Sequence, residues 1–158
     1  MEPLLFAVPS AEAFLKKAEA SLQAYAAGDR EAAMAGFLSV VSGLDWETCR
    51  AVIDEQIHGG VSRALEYTYF FFGIDLPAIN AWTFGPEQAV SIAQPVLSVL
   101  GTESERVFVE GADLLRSWLP QIDELTQEVA GHLLHIQRPE PVARSFADFF
   151  GRHPIAAD

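Results

Sequence analysis

The chain has 158 residues, 50% of them hydrophobic, with 10 Lys and Arg against 22 Asp and Glu, which gives a formal net charge of −12. That length suits one domain with a real core, and so many apolar and aromatic residues exclude disorder. The acidic balance argues against nucleic acid and anionic membrane surfaces as partners. A single cysteine, Cys49, leaves no internal disulfide to form, and Met1-Glu2-Pro3 lacks the basic start and apolar run of a secretion signal, so a cytoplasmic location is expected. The longest apolar run, 67–74, falls far short of the roughly 18 residues that cross a bilayer.

In chain order, an extended apolar stretch over 3–9 leads to Ser10, which is placed to cap a first helix with Phe14, Ala18, Leu22 and Tyr25 inward. Gly28 ends it. Asp29 caps a second helix with Ala33, Phe37, Val40 and Val41 inward, stopped by Gly43. Asp45 caps a third, with Trp46, Cys49, Val52, Ile53 and Gln56 inward. Gly59-Gly60 then separates it from a fourth helix expected over 61–72. This last helix carries Tyr67, Tyr69, Phe70, Phe71 and Phe72, too many aromatics for a single stripe at helical spacing. Two uses compete for them, a lid over an apolar pocket and an ordinary core, and the core is the commoner. His58 reads as a surface turn residue. No His, Cys or carboxylate recurs near it at metal-ligand spacing, so neither a metal site nor a cofactor is expected.

Beyond 93 the period changes. After a turn with Trp82 and a brief helix opened by Gly85-Pro86, Pro95-Val96-Leu97-Ser98-Val99-Leu100-Gly101 reads as a strand of a parallel sheet. A helix with Phe108, Ala112, Leu115 and Leu119 on one face follows and ends at Pro120. A second strand is expected over 125–129, then a Gly131-His132 turn. A last helix begins at Pro139, with Val142, Phe146, Phe149 and Phe150 inward and Gly151 as its stop. The chain thus divides into a helical part, 1–93, and a strand-helix-strand-helix part, 94–158, of helix-rich α/β class. A histidine directly after a glycine at a strand end sits at the edge where open α/β folds place ligand crevices. Imidazole as a class titrates near neutral pH, so His132 can act as a proton carrier; the alternative is a solvated turn residue.

The block Gln94-Pro95-Val96-Leu97-Ser98-Val99-Leu100-Gly101, taken with Ala130-Gly131-His132-Leu133-Leu134-His135-Ile136-Gln137-Arg138-Pro139-Glu140-Pro141-Val142-Ala143, resembles the C-terminal part of an α/β-hydrolase. The resemblance implies a partial α/β-hydrolase fold. Residues 1–93 would hold the end of the sixth strand, near Leu4 and Leu5, and a helical cap, and 94–158 the last strands and helices of the core. It makes His132 the catalytic base in preference to His135 and to the outlying His153. The family spacing for the acid falls on Ser104, with Glu103 and Glu105 on either side as substitutes and Glu2 as another choice. Gln137 stands where the family often has glutamate.

Family chemistry is acyl transfer by a serine on a Gly-x-Ser-x-Gly elbow. The nearest approach, Gly60-Val61-Ser62-Arg63-Ala64, has alanine in place of the last glycine and lies between helices. The function expected by resemblance is therefore that of a C-terminal portion of a hydrolase acting on an ester-like bond of a small apolar substrate, inactive by itself. Its partners would be that substrate, a complementing chain, or a second copy joined through an exposed strand edge. The alternatives are one chain of a split hydrolase and a non-catalytic interaction module.

Overall fold

The computed structural model describes residues 5–154; Glu2 and Leu4 lie outside the described residues. The described residues divide into two compact units, Ser10–Phe84 and a second that joins 5–9 with 85–154.

The first unit is helical: α1 (Ala11–Ala26), α2 (Arg30–Ser42), α3 (Trp46–Gln56), α4 (Gly60–Glu66), α5 (Thr68–Phe70), a π-helical turn (Phe71–Asp75) and α6 (Leu76–Ala81). Helices α2 and α3 begin where an aspartate can satisfy an orphan backbone donor. The Ala32 N–H donates to Asp29 Oδ1 and the Thr48 N–H to Asp45 Oδ1, each at 3.0 Å. Helix α2 ends at Gly43, whose left-handed φ of 71° a residue with a side chain adopts only under strain. Ser10 precedes α1 without a side-chain capping bond. Ala33, Met34, Phe72 and Leu76 form a buried cluster, flanked by Tyr25, Phe37 and Phe71. Tyr25 stacks on Phe72 at 5.0 Å between ring centres, and Phe37 meets Phe71 edge-on at 4.6 Å.

Three expectations are corrected in this unit, the first being Gln56, which is exposed at the end of α3 instead of facing inward. Helix α1 buries Ser21 rather than Leu22, which is exposed. The expected helix over 61–72 is not continuous either, because α4 stops at Glu66 and a π turn follows at Phe71. At the break the Thr68 hydroxyl donates to the Leu65 carbonyl at 2.8 Å and the Ala64 carbonyl at 3.2 Å, the local competition that loosens helical bonding at threonine. The π turn then shifts the helical phase by an extra residue. Thr68 and Phe72, four residues apart and so on one helical face, are buried, and Tyr67, Tyr69 and Phe70 are exposed.

The second unit is α/β. It contains α7 (Pro86–Ala89), β1 (Val96–Gly101), α8 (Arg106–Trp118), β2 (Ile122–Gln127), α9 (Leu134–Gln137) and α10 (Pro139–Arg152). Strands β1 and β2 pair in parallel from Val96↔Ile122 to Gly101↔Gln127, and α8 makes the crossover that a parallel pair requires. The fold is thus helix-rich α/β with a small parallel sheet. The core behind the sheet is Val99, Ala130, Leu134 and Val142, with Leu97, Leu125 and Phe146 against it.

The second strand starts three residues earlier than expected and ends two earlier, at 122–127 rather than 125–129. Pairing with all of β1 sets its extent, so the polar Asp123, Glu124 and Thr126 are carried in the ladder, and Glu128-Val129 become a turn. Helix α10 runs through Gly151 to Arg152, because Gly151 keeps a helical backbone instead of turning left-handed. Among the described residues no helix is long and apolar enough to cross a membrane.

Candidate functional site

Both strands end at the same edge, where the loop after β1 (102–105) and the loop after β2 (128–133) are fastened together. The Thr102 N–H donates to the Gln127 carbonyl at 3.0 Å and the Glu103 N–H to the Ala130 carbonyl at 2.9 Å. In return the Val129 N–H donates to Thr102 Oγ1 at 3.0 Å. Gly101 permits this approach: a Cβ there would collide with the Ala130 carbonyl, coming within 2.7 Å of its carbon. Val129 takes a left-handed φ of 55°, the one positive φ outside glycine among the described residues. A β-branched residue is strained there, and the surrounding bonds hold it in place.

His132 follows directly. It is half-buried, and its ring lies on Phe108 of α8 at 4.0 Å between centres and 12° from parallel. Phe108 is 1% exposed, so the imidazole rests on a fixed apolar floor. On the other side of the turn, the Gly131 N–H donates to Gln137 Oε1 at 2.9 Å.

Of the expected acids, Glu103 is exposed, and its backbone joins the histidine loop through Ala130. Glu105 is half-buried at the N-cap of α8, where its carbonyl accepts the Phe108 N–H at 2.9 Å. Half-buried Ser104, at the family's acid position, closes a tight turn by donating its N–H to the Gly101 carbonyl at 3.2 Å. All three thus lie on the loop that backs onto the His132 turn. His135, in α9, is exposed by area, yet loss of hydration and then the nearby charge of His132 hold its imidazole below the ordinary histidine value.

Compared with protein-family models and with curated proteins, the chain matches none.

The other singled-out groups lie elsewhere. Ser62 is an exposed residue within α4, a helix rather than the strand-to-helix turn a nucleophile elbow needs. Exposed His58 contributes its carbonyl to Arg63 Nη2 at 3.0 Å. His153 lies 3.8 Å from Asp123 Oδ2, which pairs with Arg152 Nη1 at 2.8 Å. Cys49 is fully buried, and burial pushes its thiol up, away from the reactive thiolate. An apolar groove of about 350 Å³ between Pro95, Val96, Leu97, Phe146, Phe149 and Phe150 opens at the amino end of β1, the end opposite Gly101. Among the described residues no three His, Cys, Asp or Glu side chains come together as a metal site.

Three contributors to the site escape a reading of the sequence. Phe108 registers there only as part of an apolar helix face, Thr102 as a loop residue, and Gln137 as a minor replacement. The signal for Gln137 was its polar, acceptor-bearing side chain placed shortly after a turn whose backbone donors have no ladder or helix to join.

Proposed function

We propose that this chain is the cap and C-terminal portion of an α/β-hydrolase-type enzyme, with His132 as general base in the hydrolysis of an ester-like bond of a small apolar substrate. The nucleophile is a serine from polypeptide not contained in these 158 residues, added as further strands beside β1, in the same chain or in a second one. In acylation the serine hydroxyl passes its proton to the His132 imidazole as its oxygen attacks the substrate carbonyl. The imidazolium then returns that proton to the departing alkoxide, and water repeats the exchange to release the acid. Glu103 or Glu105 orients and compensates the imidazolium.

The observation that carries this reading is the fastening of the two strand-end loops. Gly101 and the Ala130 carbonyl bring the acid-bearing loop against the histidine turn, at the carboxyl edge of a parallel sheet. The decisive experiment supplies the missing strands by in-frame extension or by co-expression, and measures esterase turnover and fluorophosphonate labelling. Turnover that falls by about a thousandfold or more on His132→Ala supports the proposal. A complemented protein that neither labels nor turns over ester sinks it.

A non-catalytic interaction role has its own observation in the exposed aromatics of the helical unit. Tyr67 and Tyr69 each pack a ring on Phe70, at 5.9 Å and 5.6 Å, and all three are exposed. Large exposed aromatics of this kind anchor protein contacts. Under this reading a pull-down returns a defined partner at fixed stoichiometry, and Tyr69→Ala with Phe70→Ala releases it without unfolding the chain.

A further inference from the structure

Residues 128–133 lie past the ladder of β2 and before the helical bonds of α9, so their backbone donors must find partners outside regular structure. Side chains supply two of them: Thr102 Oγ1 accepts from Val129, and Gln137 Oε1 accepts from Gly131. The second bond is part-buried and holds the residue immediately before His132. Gln137 is well braced for this. Its own N–H donates to the Leu133 carbonyl at 2.9 Å, and neighbouring Leu134 is buried in the core behind the sheet. A helix of four residues is marginal alone, so α9 serves as a bracket pinned at the core by Leu134 and at the turn by Gln137.

We infer that Gln137 is the positioning residue of His132: by holding the Gly131 N–H it sets the His132 imidazole flat on Phe108. The ring is reached from that peptide through only a few torsions, so freedom at Gly131 becomes displacement of the imidazole. A shift of about 1 Å in a catalytic group can cost about a hundredfold in rate. Position and stacking belong to this chain by itself; their catalytic value rests on the reading of His132 as a base.

Nuclear magnetic resonance on the whole chain tests the inference. Stacking on Phe108 places the His132 ring protons in the aromatic ring current. Gln137→Met keeps length and removes the acceptor; Gln137→Glu keeps an oxygen acceptor; Gln137→Ser is too short to reach and serves if the methionine variant does not fold. Unchanged Val99 and Val142 methyl signals certify the fold. Expected are loss of at least half of the His132 ring-current shift, and Gly131 amide exchange faster by about fivefold or more, in Gln137→Met or Gln137→Ser. Both are to be restored in Gln137→Glu. Unchanged His132 shifts in the variants without an acceptor, or failure of Gln137→Glu to restore them, overturns the inference. In a complemented enzyme Gln137→Met is expected to lower kcat by ten- to a hundredfold with KM unchanged. Absence of turnover in the complemented wild type defeats the hydrolase reading alone, because the resonance measurements still decide the role of Gln137.

Discussion

The imidazole of His132 lies parallel to the Phe108 ring, 4.0 Å between centres, so a helix residue from the crossover forms the floor under a turn residue from beyond the next strand. Phe108 is almost wholly buried, and truncating it removes both core volume and floor. Phe108→Ala is expected to cost about 3–5 kcal/mol in denaturant unfolding. Where the fold survives, the ring-current shift of the His132 ring protons vanishes; a retained shift would contradict the stacked geometry.

Two glycines of the same unit predict opposite outcomes. At Gly101 a methyl group would run into the Ala130 carbonyl, a backbone atom that cannot swing aside. Gly101→Ala should destabilise by about 3 kcal/mol or more, with loss of protection at the Glu103 amide. A methyl on Gly151 meets nothing within 4 Å and lies in α10. Gly151→Ala should therefore stabilise, by about 0.5 kcal/mol near a helix end. Equal effects of the two substitutions in urea unfolding would show that the strand-end loops are not in close contact.

In the helical unit the Ser21 hydroxyl is buried with no hydrogen-bond partner, in a residue 2% exposed. A Cβ on Gly36 of α2 would come within 2.6 Å of that oxygen. Ser21→Ala removes an unsatisfied polar atom and should stabilise by about 1 kcal/mol. Gly36→Ala should destabilise the native protein, and do so much less in the Ser21→Ala background, where the nearest remaining side-chain atom is the Cβ at 3.6 Å. Thermal unfolding of the four proteins measures the coupling; strict additivity would refute this contact.

His135 sets a pH dependence. With its native value held below 6.5, first by lost hydration and then by repulsion from His132, the unfolded chain takes up the proton first as pH falls. The stabilising contribution is present above the ordinary histidine value and is lost as pH drops through the lowered native one. Denaturant unfolding at about pH 7.5 and about pH 5 should show His135→Gln losing less stability than the parent protein. His132→Gln should also reduce the loss, since it removes the repelling charge. A parent and a His135→Gln protein with identical pH profiles would remove this account.

Some features were readable because they depend on residues close together in the chain. Asp29 and Asp45 each bond an amide three positions on, so their caps follow from local sequence. The run ending at Gly101 reads as a strand from its own composition, and the glycine-histidine pair marks a turn without reference to anything distant. The order of helices, strand, helix, strand and helix was legible on the same grounds, as was the helix-rich α/β class.

What could not be read depends on which distant segments meet. Polar Asp123 and Glu124 are extended because β1 supplies a ladder. Ser21 displaces Leu22 from the interior because Gly36 lies against it. Tyr69 and Phe70 stay exposed because Tyr25 and Phe37 meet Phe72 and Phe71 instead. By itself the sequence determined where His132 stands along the chain, through local backbone preference. Tertiary structure alone decided that Ala130 closes on Gly101, that Phe108 lies beneath the imidazole and that Gln137 holds the turn, because steric fit and hydrogen-bond satisfaction act between atoms that only folding brings together.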